Sequence, residues 1–151
     1  MKRDYPTRPI VGVGVVVLRG DRVLLVRRGT PPGLGEWSLP GGAQQLGETV
    51  YEAARREVLE ETGLEVEVLG MVDVVDSIQR DAAGRPEYHY TLVDIFAESL
   101  EGEPEARDDA AEVTWAALDA LAPLKLWSET ERVIRLAQEM WSLIGEKPSP
   151  R

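Results

Sequence analysis

Gly42-Ala43-Gln44-Gln45-Leu46-Gly47-Glu48-Thr49-Val50-Tyr51-Glu52-Ala53-Ala54-Arg55-Arg56-Glu57-Val58-Leu59-Glu60-Glu61-Thr62-Gly63-Leu64 decides the fold of this 151-residue chain. Glu48 to Thr62 is rich in Ala, Glu, Arg and Leu, carries an acid in its first turn, and stops at Gly63, a residue suited to the left-handed conformation after a helix. The stretch predicts a helix over 48–62. At about 100° per residue, Val50, Ala53, Ala54 and Val58 form one apolar stripe. Glu57 and Glu61 fall within it, each about 20° from Val50, and Glu60 stands at its margin beside Ala53. Unpaired carboxylates on an inward face repel one another and are costly to desolvate. Arg56 can pair with Glu52 and Glu60 four residues away. Glu57 and Glu61 stay unexplained by that pairing, because Arg55 and Arg56 are expected to point elsewhere. Their placement points to a hard divalent cation, Mg²⁺ or alternatively Mn²⁺, which takes oxygen ligands, keeps several waters and bridges carboxylates to phosphates. Just upstream, Leu39-Pro40-Gly41-Gly42 predicts a turn that frees the backbone to approach a ligand, and a main-chain carbonyl there is a candidate further ligand.

Working outward, Ile10 to Leu18 is a β-branched run, Gly20-Asp21 a turn, and Arg22 to Arg27 a second strand, which together predict a hairpin. Two prolines and two glycines within 30–35 mark a loop, and Trp37 to Leu39 is briefly extended. Leu64 to Val75 and Tyr88 to Glu98 are strand-like around a turn at 81–86. An acidic loop covers 98–109, and Glu112 to Ala116 is a short strand. Ser128-Glu129-Thr130-Glu131 has the pattern of a capping box before a helix. The apolar face of that helix is Val133, Ile134, Ala137, Met140, Trp141 and Ile144. Residues 146–151 are expected to fray. With no internal repeat and no linker, the chain is expected to form one α/β domain over 1–151, with a mixed sheet and helices on both sides.

Composition narrows the chemistry. There is no cysteine and one histidine, His89, so disulfides, thiolate zinc sites, cysteine nucleophiles and multi-histidine metal sites are excluded. The formal charge of −10 opposes binding to a nucleic acid backbone. No apolar run approaches the ~20 residues of a membrane span, and the basic start lacks the apolar core of a signal peptide, so a cytoplasmic protein is expected. The charge is uneven. Seven basic and three acidic residues in 1–36 give +4, leaving 24 acidic and ten basic residues, a net of −14, for the rest. Cation-binding and anion-binding groups can therefore come from different parts of one fold.

Written as spacing, residues 42–64 are Gly42-x5-Glu48-x7-Arg56-Glu57-Val58-x-Glu60-Glu61-x-Gly63-Leu64. This matches the full Nudix box, G-x5-E-x7-R-E-U-x-E-E-x-G-U with U aliphatic. From average residue frequencies such a match arises by chance about 10⁻⁹ times per starting position. On these residues the chain is identified as a member of the Nudix hydrolases. From Pro9 to Asp94 it resembles the bacterial ADP-ribose pyrophosphatase-like branch, through the Val/Gly-rich first strand, residues 23–28, residues 36–42 and Tyr88-His89-Tyr90. The resemblance implies an α/β/α sandwich with a mixed β-sheet, and hydrolysis of a nucleoside diphosphate linked to another moiety. By position it makes Glu57 and Glu61 the principal metal ligands, Glu60 a further ligand or a base, and the Gly41 carbonyl the completing group. It gives Arg56 the orientation of the glutamates and Glu48 the bracing of the loop–helix turn. Many members carry an acid where this chain has Gln45, which implies the loss of a peripheral metal-water contact.

Diphosphate hydrolysis needs charge neutralisation and an activated water. Metal held by Glu57, Glu60 and Glu61 would clamp phosphate oxygens and lower the water's pKa. The proton acceptor is a box glutamate or one of Asp108, Asp109 and Glu112 beside the last strand. Arg27 and Arg28 end an apolar strand, and alternation lets at most one of them face the site to bind substrate phosphate. Trp37 is a candidate base-stacker as well as a candidate core residue. His89 is expected to have no catalytic role. The expected substrate is a small nucleotide, with ADP-ribose or a related sugar nucleotide first. A nucleoside triphosphate, including an oxidised one, cleaved for pool cleaning, is the alternative. A non-catalytic nucleotide-sensing domain is the third reading, and the intact box acids oppose it. No nucleic acid polymer or membrane is expected as a partner, and pairing as a homodimer is left open.

Overall fold

The computed structural model describes residues 2–145. In chain order these form β1 (Ile10–Arg19), β2 (Arg22–Arg28), β3 (Trp37–Ser38), β4 (Gly41–Ala43), α1 (Val50–Thr62), β5 (Glu67–Arg80), β6 (Pro86–Glu98), β7 (Ala110–Ala117), a 3₁₀ turn (Ala122–Leu124) and α2 (Ser128–Gly145). The predicted tail at 146–151 lies outside the described residues. One sheet runs β3-β2-β1-β6-β5, with β4 also paired to β1 and β7 to β2. The β1–β6 pair is parallel and the others antiparallel, so the sheet is mixed, as expected.

β1 is the central strand, buried almost throughout because both sheet faces are covered. Its side chains alternate between two cores. Val13, Val15 and Val17 pack with Ala53, Ala54 and Val58 of α1. Val16 and Leu18 pack with Val133, Ile134 and Ala137 of α2 on the other side. The α/β/α arrangement follows directly from this alternation.

Several predicted boundaries shift for identifiable reasons. α1 begins at Val50, not Glu48, because Thr49 is its N-cap. Thr49 Oγ1 accepts the Glu52 N–H at 3.0 Å, and the Glu52 carboxylate accepts the Thr49 N–H at 2.9 Å. Gly63 ends the helix at φ 75°, as predicted. β5 continues past Val75 to Arg80, since β6 pairs with it as far as Arg80↔Pro86. The expected turn at 39–42 contains a strand: β4 pairs with Gly12, Val13 and Gly14 of β1. The β1–β2 hairpin forms, but its recorded register covers only Leu18↔Val23 and Arg19↔Arg22, because β4 takes the other end of that β1 edge. The capping box expected at 128–131 is replaced by main-chain bonding. The Glu131 N–H donates to the Trp127 carbonyl at 3.1 Å, and the Glu131 carboxylate lies 3.7 Å from Arg135. No helix among the described residues is long and apolar enough to cross a membrane.

Candidate active site

The helix-wheel expectation holds: Glu57 and Glu61 are buried at 9% and 6% exposure, while Glu60 is exposed. β4 faces them. Antiparallel pairing sends the main-chain groups of residues 40 and 44 to β1, so alternation leaves the N–H and C=O of Gly41 on the free edge. The Gly41 N–H donates to Glu61 Oε1 at 2.8 Å. The glycines serve close approach. A Cβ on Gly41 would stand 1.9 Å from the Val13 carbonyl oxygen, and one on Gly42 would stand 2.6 Å from the Glu57 carboxylate.

Arg56 is the hub of the carboxylate cluster. It donates to Glu48 at 2.6 and 3.0 Å, to Glu57 at 2.8 Å, to Glu60 at 3.1 Å and to the Ala43 carbonyl at 3.1 Å. Two expectations are corrected here. Arg56 does not pair with Glu52, which is used in the cap, and it does reach Glu57. Glu48 also accepts the Gln45 N–H at 2.8 Å, so it ties the loop to the helix. The Arg56 hydrogen bond holds the Glu48 carboxyl below the usual range. Burial instead pushes Glu57 up, against the pull of Arg56. Burial pushes Glu61 up to about 7, reinforced by the charges of Glu57 and Asp109. Among the described residues no three acidic or histidine side chains converge into a closed metal cage. The donors are instead two buried carboxylates beside a free main-chain edge. That set suits a cation that completes its shell with water and phosphate oxygens.

The acidic loop is fastened to the end of α1. Helix-terminal carbonyls lack intrahelical donors, and the Glu105 and Arg107 N–H groups fill those of Thr62 and Glu61, each at 2.9 Å. This places Asp108 and Asp109 on the wall of a cavity of about 600 Å³ that Glu57, Glu60 and Glu61 also line. Glu112, the third candidate base, is outside this lining and pairs with Arg27. Of the two candidate arginines the cavity takes Arg28 and not Arg27. Trp37 is likewise outside the lining; it packs on the α2-side core with the Arg27 guanidinium 5.9 Å above its ring. Arg27 and Trp37 stand opposite each other as a cross-strand pair of β2 and β3. His89, paired with Ile78 in the β5–β6 hairpin, also lies outside the lining.

The cavity floor is formed by β1 and β6. On the α2 side, β1 presents Gly12 and Gly14 before Val16 and Leu18, so the face changes from bare backbone to packed core within one strand. Asp94 of β6 lies opposite Gly14, where a Cβ would come within 2.4 Å of its Oδ1. It lines the cavity at 6% exposure, and burial raises its carboxyl to about 7, with the Asp73 charge adding to the rise. Arg132 bridges Asp73 at 2.9 Å and Glu129 at 2.8 Å, fixing the first turn of α2 against β5. At that end Trp127, 46% exposed, also lines the cavity. A lone acid in the apolar run 92–97 was the available signal for Asp94.

Residues 8–137 match the NUDIX domain. The chain belongs to the Nudix hydrolase family. It is 35% identical over 127 residues to an ADP-ribose pyrophosphatase of Methanocaldococcus jannaschii, covering 84% of this chain and 72% of that one. It is 36% identical over 118 residues to an oxidized purine nucleoside triphosphate hydrolase of Danio rerio, covering 76% and 70% respectively. The crystal structure of a MutT NUDIX hydrolase from Burkholderia pseudomallei superposes with a TM-score of 0.74 at 34% identity, covering 85% of this chain and 98% of that one. As a Nudix hydrolase the chain is an enzyme acting on small nucleotide substrates, in a family that uses divalent cations.

Proposed function

We propose that the chain is an Mg²⁺-dependent pyrophosphohydrolase that cleaves a nucleoside diphosphate linked to another moiety, with ADP-ribose or a related sugar nucleotide as substrate. The observation that carries this reading is the buried Glu57–Glu61 pair, braced by Arg56 and opening on one cavity with Asp108 and Asp109. The sugar-nucleotide part rests on the resemblance to the archaeal ADP-ribose pyrophosphatase. An oxidised purine nucleoside triphosphate is the second reading, supported by the comparable identity to the zebrafish enzyme.

Glu57 and Glu61 would hold the cation, with Glu60 and the Gly41 carbonyl as further donors. When bound, Mg²⁺ or Mn²⁺ neutralises phosphate charge and acidifies a coordinated water. The chain's own groups do the rest. Arg56 keeps the carboxylates aimed and limits their repulsion. Asp108 or Asp109, held beside Glu61 by the loop, takes the proton as a water oxygen attacks phosphorus. The P–O anhydride bond breaks, and the leaving phosphate departs with its electron pair. Arg28 offers its guanidinium to the substrate phosphate.

A substrate panel with Mg²⁺ in ¹⁸O-labelled water tests this reading. ADP-ribose should yield AMP and ribose 5-phosphate, with label in one phosphate product. A kcat/KM higher for oxidised purine triphosphates would favour the second reading. No turnover of any diphosphate compound would overturn both.

A further inference from the structure

The residues before β1 form an arm that reaches the same cavity. Arg3 is part of its lining, and its charge acts on the Glu57 carboxyl. Its placement rests on Tyr5. The Tyr5 N–H donates to the Glu87 carbonyl at 2.7 Å, and its hydroxyl donates to Asp81 Oδ2 at 2.9 Å. The Arg85 guanidinium lies 4.7 Å above its ring. All three partners belong to the tip of the β5–β6 hairpin. Tyr5 also has φ 47°, a left-handed conformation that a non-glycine residue keeps only where its surroundings enforce it. The arm is thus pinned by a strained residue, two residues from the cavity.

The charge balance shows what the arm brings. Among the described residues three guanidiniums line the cavity: Arg3, Arg28 and Arg56. Arg56 is spent on Glu48, Glu57, Glu60 and the Ala43 carbonyl. Arg28 donates its Nε to the Pro32 carbonyl. Arg3 has no hydrogen bond or ion pair among the described residues, so its donor fork is uncommitted. An uncommitted guanidinium on the same cavity as carboxylates suited to hold a cation suits an anion that binds with that cation, and its planar fork matches phosphate oxygens.

We propose that the N-terminal arm is a substrate strap, in which Tyr5 locked onto the β5–β6 hairpin holds Arg3 over the cavity as a binding residue for the diphosphate of the nucleotide. This rests on the reading that the ligand is a nucleoside diphosphate compound. Arg3 binds and does not take part in proton transfer, and Tyr5 acts only by positioning it.

Steady-state kinetics with ADP-ribose and Mg²⁺, paired with equilibrium dialysis of ADP, test the strap. Arg3→Ala should raise KM and weaken ADP binding about tenfold, the effect of one charge-assisted contact, with kcat within about twofold of wild type. Arg3→Lys should recover part of the loss. Tyr5→Ala should reproduce the KM rise although Arg3 is intact, and Tyr5→Phe, which removes only the Asp81 bond, should give a smaller rise. Arg8→Ala, which removes an equal charge outside the cavity, should change neither quantity. The strap is overturned if Arg3→Ala binds ADP as wild type does, or if folded Tyr5 variants keep the wild-type KM. ADP binding needs no turnover, so this result stands apart from the outcome of the substrate panel.

Discussion

Asp94→Asn replaces a buried carboxyl on the cavity floor with its neutral isostere, and its effect on stability can be worked from the structure. Folding moves this carboxyl from 3.8 to about 7, because it leaves water and because Asp73 stands beside it, with Arg132 opposing and Glu129 adding to the rise. Between those two values the folded chain holds a proton that the unfolded chain has released. Stability therefore falls as pH rises, by about 1.4 kcal/mol per unit, and levels off above pH 7. The full cost of ionised Asp94 is about 4 kcal/mol. Glu57 and Glu61 contribute in the same direction, but they are present in both proteins and cancel in the difference. Urea unfolding followed by tryptophan fluorescence, with EDTA present, should find Asp94→Asn more stable than wild type. That gap should widen by about 2–3 kcal/mol between pH 5 and pH 8. A gap that stays constant over this range would refute the reasoning, since it would mean Asp94 is already ionised in the folded protein at pH 5.

Burial also raises Glu61 to about 7, so Mg²⁺ or Mn²⁺ binding should release close to one proton at pH 6 and less at pH 8. Calorimetry in buffers of different ionisation enthalpy measures this. Gly42→Ala would press a Cβ against the Glu57 carboxylate, and kcat should fall about 100-fold in a protein that still folds, because ångström-scale displacement of a reacting group costs that much. Glu112→Gln should leave kcat within about twofold, whereas Asp108→Asn with Asp109→Asn should lower it about 100-fold, the usual contribution of a positioned proton acceptor.

The parts of the fold legible in the sequence were those set by local period. The inward placement of Glu57 and Glu61 followed from a helical repeat of 3.6, and the end of α1 at Gly63 followed from the conformation glycine permits. Alternation along a strand says that at most one of Arg27 and Arg28 faces the site, but which one follows only from the pairing of Arg27 with Trp37 of β3. Arg56 pairs with Glu48 and not Glu52 for a similar reason: Thr49 takes Glu52 for the cap, while Glu48 keeps its place at the loop–helix turn. β4 was hidden because three residues carry no period, and its pairing with Gly12, Val13 and Gly14 of β1 is a long-range contact. Arg3 carried no local signal, since its position depends on Tyr5 meeting a hairpin tip about 80 residues away in sequence. Gly12 and Gly14 alternated openly in the first strand, yet only the register with Leu92 and Asp94 shows that they hollow out the floor of the site.

The central claim is that Glu57 and Glu61 hold the cation on which turnover depends. Its most direct test is the Mg²⁺ dependence of ADP-ribose hydrolysis by Glu61→Gln, compared with wild type at equal folded fraction. The account predicts that Glu61→Gln loses kcat by at least about 100-fold, the scale of lost electrostatic stabilisation, and binds the cation more weakly. Wild-type turnover in Glu61→Gln, at the wild-type Mg²⁺ requirement, would contradict it.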